Sequence, residues 1–287
     1  MPPEGRDRRA LIRAAAATLP GDTPRLDAEL LLAHALGEER LAMLAGTAPV
    51  SADVVACFEA LLERRRRREP VAHILGSREF WSLMLHVTPD VLVPRPDSET
   101  LIEAAIAERG ARPPASILDL GTGSGALLLA ALSHWPEARG LGIDRSAAAL
   151  ALAEGNAVRL GLAGRAAFQR LDWQVPGWVE RLGGPFDLVL ANPPYVPDDA
   201  ELMPEVAAHE PPGALFAGAD GLDDHRILIP AMPDLLAPGG VAVLEFGEGQ
   251  AAALVAMAAD AGLPARTLTD LAGRPRAIVL VKGDSSV

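Results

Sequence analysis

The chain has 287 residues, 49% of them hydrophobic, enough to bury one substantial core plus a smaller satellite domain. Its formal net charge is −12, and all of the excess lies beyond residue 70: the first 70 residues set 11 arginines against 11 acids, the remainder 15 basic residues against 27 acidic ones. Such a surface repels a phosphate backbone at long range, which argues against stable nucleic-acid binding, and no apolar run approaches the roughly 20 residues of a membrane helix.

In chain order, the first stretch reads as helices separated by Pro20-Gly21, Gly37 and Gly46-Thr47-Ala48-Pro49. Leu26, Leu30, Leu31 and His34 recur at three and four and mark one apolar face. The charges at Arg6, Asp7, Arg8 and Arg9 precede a stretch interrupted by Arg13, a helical pattern rather than a secretory leader, so a cytoplasmic protein is expected. Cys57, the single cysteine, sits at an apolar spacing and reads as a small buried residue, not a nucleophile. The last helix, capped by Ser51, ends in five arginines, Arg64 to Arg68. That run is either a solvated basic end favourable to the helix dipole or a basic face offered to RNA or an acidic partner.

Residues 71–96 contain three short apolar runs punctuated by Gly76, Pro89 and Pro94, the pattern of a hairpin-like linker. From residue 97 onward, short hydrophobic strands at 116–120, 139–143, 167–171, 186–191, 241–246, 266–269 and 277–281 alternate with Ala/Leu-rich helices. The alternation predicts an α/β, doubly wound and mostly parallel sheet. Three segments follow: a helical 1–70, a linker at 71–96 and an α/β body at 97–287.

Gly121-Thr122-Gly123-Ser124-Gly125 directly follows the first of those strands and opens a helix. Glycines there permit positive φ and let a ligand lie against the backbone. The spacing is Gly-x-Gly-x-Gly, not the dinucleotide Gly-x-Gly-x-x-Gly, and Asp119 precedes the first glycine by two positions. Asp144, at the end of the second strand, can accept both ribose hydroxyls of a nucleoside. Asp172 and Trp173, at the end of the third, would supply an acceptor for an adenine amino group and a flat apolar surface for its ring. Asp119 either touches the ligand or accepts loop amides, and Trp173 either stacks on the base or packs at the sheet edge.

Asn192-Pro193-Pro194-Tyr195 is delivered to the same sheet edge by the strand at 186–191. Two prolines fix φ and push the preceding residue into extended geometry, so the carbonyls of Asn192 and Pro193 would face the cleft as acceptors. An NH2 on an sp2 carbon is a poor nucleophile because its lone pair is delocalised. Donating its hydrogens to the Asn192 side-chain oxygen and a proline carbonyl would restore density to the nitrogen, with Tyr195 stacked on the planar group. With the glycine loop, this points to methylation of a planar amide or amine nitrogen from S-adenosylmethionine, in which alignment can contribute about 7 to 11 kcal/mol. Read alone, Asn-Pro-Pro could be an ordinary strand-ending turn.

The sequence resembles the class I methyltransferases and, more closely, the peptide chain release factor glutamine-N(5)-methyltransferase (PrmC-type) family. The resemblance runs through Glu69-Pro70-Val71-Ala72-His73-Ile74-Leu75-Gly76, Arg78-Glu79-Phe80-Trp81-Ser82-Leu83 and Val93-Pro94-Arg95-Pro96-Asp97-Ser98-Glu99. It continues through the glycine loop, Asn192 to Tyr195, Glu210-Pro211, Asp220-Gly221-Leu222 and Leu244-Glu245. It implies a Rossmann-like sheet of seven strands with an antiparallel edge, behind a helical domain that helps hold the substrate. It further implies S-adenosylmethionine as donor and, as substrate, the glutamine of the Gly-Gly-Gln motif of release factors. Gly121 to Gly125, Asp144, Trp173 and Asn192 would then contact the donor, and Asn192, Pro193, Pro194 and Tyr195 would hold the glutamine.

Two positions depart from the family pattern. Ser98 stands in place of the usual Thr and keeps a hydroxyl able to cap the next helix. His209 replaces a common aromatic residue before Glu210. Arg95, held between two prolines, either binds an acidic group of a partner or ties the linker to the sheet, and Phe80 and Trp81 leave the same choice open. The histidines lack metal-ligand spacing, so no metal site is expected. An amino-methyltransferase acting on adenine or guanine in nucleic acid is the alternative, disfavoured by the acidic catalytic half. A non-catalytic adenosyl-ligand sensor is disfavoured by the unbroken tetrapeptide. A monomer is the expected state.

Overall fold

The computed structural model describes residues 6–270 and 272–284. They divide into two compact units, one built from the chain through Ser77 together with Leu202–His209, the other from Arg78–Glu201 and Glu210 onward.

The first unit is helical: α1 (Arg8–Ala16), α2 (Pro24–Leu36), α3 (Arg40–Ala45), α4 (Ala52–Arg66) and α5 (Val71–Leu75). Local chemistry sets the ends. Asp7 accepts from Ala10 N at 2.8 Å to cap α1, Pro24 opens α2, and Gly37 closes it at φ 66°. Leu31, Leu32, Met43, Phe58 and Leu62 form the core, and each such side chain contributes about 1.5–3 kcal/mol on burial.

Three sequence expectations change here. The apolar run at 71–75 is a helix, not part of a hairpin. On α2 the buried face is Ala28, Leu31 and Leu32, while Leu26 and His34 are exposed. A helix apolar nearly all round does not choose its own face, and here buried carboxylates decide it. Asp27 meets Arg65 Nε at 2.7 Å, and Glu29 meets Arg40 Nη2 at 2.5 Å. Cys57 is exposed, because α4 turns Phe58, Leu62 and Arg65 inward at the i, i+4, i+7 spacing.

The arginine run is a largely solvated basic end, with Arg65 the buried member of the five, and every member meets a carboxylate. Arg64 pairs with Glu69, Arg66 with Glu59 and Glu63, Arg67 with Glu63, and Arg68 with Glu205 at 3.2 Å. Arg65, buried, lies between Asp27 and Glu205. Glu205 belongs to the helix Pro204–His209, a segment from late in the chain that the composition of that region did not mark.

The second unit begins with a hairpin, β1 (Ser77–Phe80) and β2 (Leu83–His86). Its two-residue turn places Trp81 at φ 52° and Ser82 at φ 58°, the left-handed region that a tight hairpin turn needs and that usually calls for Gly or Asn. The Glu99 carboxylate accepts from Trp81 N at 2.9 Å and steadies the turn. Then follow α6 (Glu99–Arg109), β3 (Ser116–Leu120), α7 (Ala126–His134), β4 (Arg139–Asp144), α8 (Ala147–Arg159), β5 (Ala166–Arg170), β6 (Phe186–Ala191), α10 (Asp223–Leu235), β7 (Leu236–Glu245), α11 (Ala251–Asp260), β8 (Ala265–Thr269) and β9 (Pro275–Val281), with α9, the Pro204–His209 helix of the first unit, falling between β6 and α10 in the chain.

Seven strands form one sheet in the order β5-β4-β3-β6-β7-β9-β8. The five from β5 to β7 run parallel, and β9 is antiparallel to both β7 and β8, as the resemblance implied. Alternate residues feed opposite faces. Ile117, Leu188, Leu190, Val241 and Val243 join one core with α6 and α7, while Leu118, Val189, Ala191, Ala242 and Leu244 join another with α10 and α11. Burial on both faces explains why these strands read as continuous apolar runs.

The chain leaves β3 toward β4 and β5 on one side and returns to β6 on the other. Between β3 and β6 the strand order therefore reverses, and the crevice outside their carboxyl ends is where such sheets bind ligands.

Candidate active site

At that crevice, Leu120 pairs with both Ile143 and Ala191, so the loops after β3, β4 and β6 emerge side by side. One cavity takes in Gly121, Thr122, Gly123 and Ser124 from the first loop and Asp144 from the second. Asp172 and Trp173 beyond β5, and Asn192 and Pro194 after β6, complete this lining. Gly125, Pro193 and Tyr195 are not in the lining. Gly125 instead makes the left-handed entry to α7 at φ 85°.

The glycine loop is held from below. Asp144 accepts from Gly123 N at 3.0 Å and from Ser146 N at 2.8 Å, leaving further lone pairs for a ligand. Asn156 donates to the carbonyls of Ser124 (2.8 Å) and His86 (3.0 Å), joining the loop to the hairpin. Gly121 has φ 74°, and a Cβ there would lie 3.1 Å from the Trp173 ring, so the indole covers bare backbone. Trp173 Nε1 donates to Asp224 at 2.6 Å, which fixes the plane of the ring.

Asp119 is buried at the floor. Its Oδ2 accepts from Thr122 Oγ1 at 2.6 Å, while Oδ1 has no partner. It takes no hydrogen bond from the loop glycines. Burial pushes its carboxyl up to about 7, against the opposing bond from Thr122.

The tetrapeptide is clamped by the end of β7. Asn192 Nδ2 donates to Ser98 Oγ at 3.1 Å, Ser98 Oγ donates to Glu245 Oε2 at 2.5 Å, and Tyr195 OH donates to Glu245 Oε1 at 2.9 Å. Gln250 Nε2 reaches the Tyr195 carbonyl at 2.9 Å. Gly221 passes so close that a Cβ would sit 2.2 Å from the same oxygen. Glu245 is 1% exposed, and burial raises its carboxyl above the usual range while the two hydroxyls oppose the rise.

Ser98 therefore does not cap the helix that follows it. Its side chain makes no capping bond, its backbone being helical (φ −69°, ψ −13°) where a cap residue is normally extended. Tyr195 points its hydroxyl at Glu245, not at the cavity. Arg95 reaches Glu210 at 2.5 and 2.7 Å, tying the linker to the loop that returns after the tetrapeptide. Phe80 is core and lines the cavity.

The geometry is that of a methyltransferase cleft, and comparison with known proteins gives the family. Residues 10–76 match the PrmC N-terminal domain and residues 112–258 a methyltransferase domain. The release factor glutamine methyltransferase of Rhodospirillum rubrum is 46% identical over 90% of this chain and 79% of its own length. The chain belongs to the release factor glutamine methyltransferase family. That of Caulobacter vibrioides is 42% identical over 91% of this chain and 90% of its own. Among solved structures, the hMettl16 catalytic domain in complex with the MAT2A 3'UTR hairpin 6 shares the fold, with a TM-score of 0.58 at 15% identity over 76% of this chain and 83% of that one.

Sequence reasoning missed several residues that shape this methyltransferase cleft: Ser98 and Glu245 beneath Asn192, Gln250 behind Tyr195, and Asp224 behind Trp173. Their signal was a polar residue closing an otherwise apolar strand or opening a helix, which shows that a partner is needed and not which one. Among the described residues no group of His, Cys, Asp or Glu could hold a metal ion, and no helix is long and apolar enough to cross a membrane.

Proposed function

We propose that this protein methylates the side-chain amide nitrogen of the glutamine in the Gly-Gly-Gln motif of peptide chain release factors, with S-adenosylmethionine as donor. One observation carries the reading: the glycine loop with Asp144 and the Asn192 carboxamide line the same cavity.

The donor suits the groups present. Asp144 and Asp172 offer acceptors to ribose and adenine, and Trp173 a flat face. Gly121, Thr122, Gly123 and Ser124 line the cavity where the ligand would lie, and Gly125 turns the chain into α7. When bound, S-adenosylmethionine supplies an electrophilic methyl group on a positively charged sulfur.

The chain's own residues prepare the nitrogen. Asn192 Oδ1, which has no donor from the described residues, accepts one hydrogen of the substrate amide, and in this reading the Pro193 carbonyl, outside the cavity lining of the free protein, accepts the other. Both bonds draw density back onto the nitrogen, and fixed acceptors need no reorganisation as charge develops there. Pro194 and Phe80 narrow the cavity and keep water out. Tyr195 borders the substrate through its ring, its hydroxyl being committed to Glu245.

In this reading residues 1–70 help hold the factor, 71–96 link, and 97–287 carry donor and chemistry. A cytoplasmic monomer acting on a protein and not on nucleic acid completes it.

The test is a reaction of the purified protein with a release factor and the donor, followed by the mass of the tryptic peptide that holds the loop glutamine. A gain of one methyl group on that glutamine is expected. Methyl transfer to RNA or DNA with none to the factor would overturn the proposal.

A further inference from the structure

The hydrogen bonds under Asn192 have a direction. Glu245, buried at the end of β7, receives hydrogen bonds from two hydroxyls, Ser98 Oγ at Oε2 and Tyr195 OH at Oε1. Ser98 has one proton and gives it to Oε2 at 2.5 Å. Its oxygen then has only lone pairs to offer, so the end of the Asn192 carboxamide that lies 3.1 Å away has to be the NH2. The oxygen of Asn192 is thereby left for the cavity that Asn192 and Ser98 both line.

We propose that Ser98 and Glu245 are positioning residues that set the donor–acceptor polarity of the Asn192 carboxamide, and that turnover depends on that polarity. The inference rests on the reading of the site given above. An amide and its flipped form have nearly the same shape, so packing alone distinguishes them weakly and the hydrogen-bond partner must choose. If Asn192 were flipped, its NH2 would confront the NH2 of the substrate, donor against donor, and the amide nitrogen would be neither held nor polarised. Ser98 acts through Asn192 and Glu245 through Ser98; neither has to reach the reacting atoms.

The chain of bonds makes a pattern of effects that a merely structural role would not. S98A removes the only partner of the Asn192 NH2 among the described residues. It should lower kcat about 100-fold, the loss typical of a small misplacement at a reacting centre. The KM for the release factor and the Kd for the donor should stay within about threefold, because the lost interaction is used in the transition state. S98T, which keeps the hydroxyl, should recover most of the turnover. E245M removes the acceptor and replaces a buried charge with an apolar chain of similar length, so Ser98 is free to turn its proton toward Asn192. Its kcat should fall as in S98A, and the double variant S98A/E245M should be no worse than either alone, since both break one chain. Tyr195→Phe leaves the Ser98 side of Glu245 intact and should lose less than E245M.

These constants are measured on the full chain with a release factor as substrate, with donor Kd by calorimetry. Wild-type protein that does not methylate the factor would overturn the functional reading and this inference together. Wild-type activity with S98A within about threefold of it in kcat, or with S98T no better than S98A, would overturn the inference alone. So would losses that add in the double variant, or a fall in donor affinity that matches the fall in kcat.

Discussion

Arg95 and Glu210, 115 residues apart, meet through Arg95 Nη2 at 2.5 and 2.7 Å from the two oxygens of a carboxylate that is 5% exposed. Burial raises the Glu210 carboxyl and Arg95 opposes the rise. Arg95→Ala would leave that carboxylate buried without its cation. Since the arginine side chain is 36% exposed, the expected loss is about 1–3 kcal/mol, below that of a fully buried pair. Adding Glu210→Gln should return part of it, as read by urea unfolding followed through tryptophan fluorescence, because all four tryptophans lie in the same unit.

In the helical unit, Arg65→Ala should be the damaging change of the arginine run. It strands Asp27, which is 6% exposed, and removes a bond to the Pro20 carbonyl. A loss of about 3–5 kcal/mol is expected. Arg67→Ala, whose side chain pairs only with Glu63 at the surface, should stay within about 0.5 kcal/mol. Tryptophan emission does not report on this unit, so amide hydrogen exchange in α2 and α4 is the measurement. Equal protection in the two variants would contradict the structure.

Asp144→Ala removes the acceptor for Gly123 N as well as the proposed contact to the donor's ribose. Donor Kd by calorimetry should rise about 10- to 100-fold, the value of one or two charge-assisted hydrogen bonds. An unchanged Kd would refute the ribose role.

Stability should depend on pH through Asp119. Its carboxyl sits at about 7 in the fold against 3.8 when free, so the folded state binds the proton more tightly. The stabilisation from that proton is present below about 4 and is lost as pH rises to about 7. His225, buried and depressed to about 4 from 6.5, works the other way, losing stability as pH falls through that window. The comparison must therefore be differential. Relative to Asp119→Asn, which cannot titrate, wild-type protein should lose on the order of a few kcal/mol between pH 4 and 7 in thermal melts without donor. A constant difference would show that Asp119 titrates normally.

Much of the α/β body was legible in the sequence, because a strand buried on both faces must be apolar throughout and a helix beside it must be amphipathic or small. The seven strands were placed within a few residues, the longest adjustment being β7, which begins at Leu236 rather than 241. The glycine loop, Asp144 and Asn192 were legible for a similar reason. Their chemistry depends on local backbone, on glycine φ and proline geometry, which neighbours in the chain dictate.

What failed was pairing across long separations. Cys57 and the exposed side of α2 were misjudged because their burial depends on which helix lies opposite, and the burial of Arg65 was not foreseen because its carboxylates, Asp27 and Glu205, lie far away along the chain. The tetrapeptide after β6 shows both sides. Asn192-Pro193-Pro194-Tyr195 by itself determined an acceptor-rich turn at a strand end. Only the tertiary structure decided which end of the Asn192 amide faces the cavity and where the Tyr195 hydroxyl goes, since Ser98 and Glu245 are 94 and 53 residues away along the chain and become neighbours of Asn192 only when β7 lies beside β6.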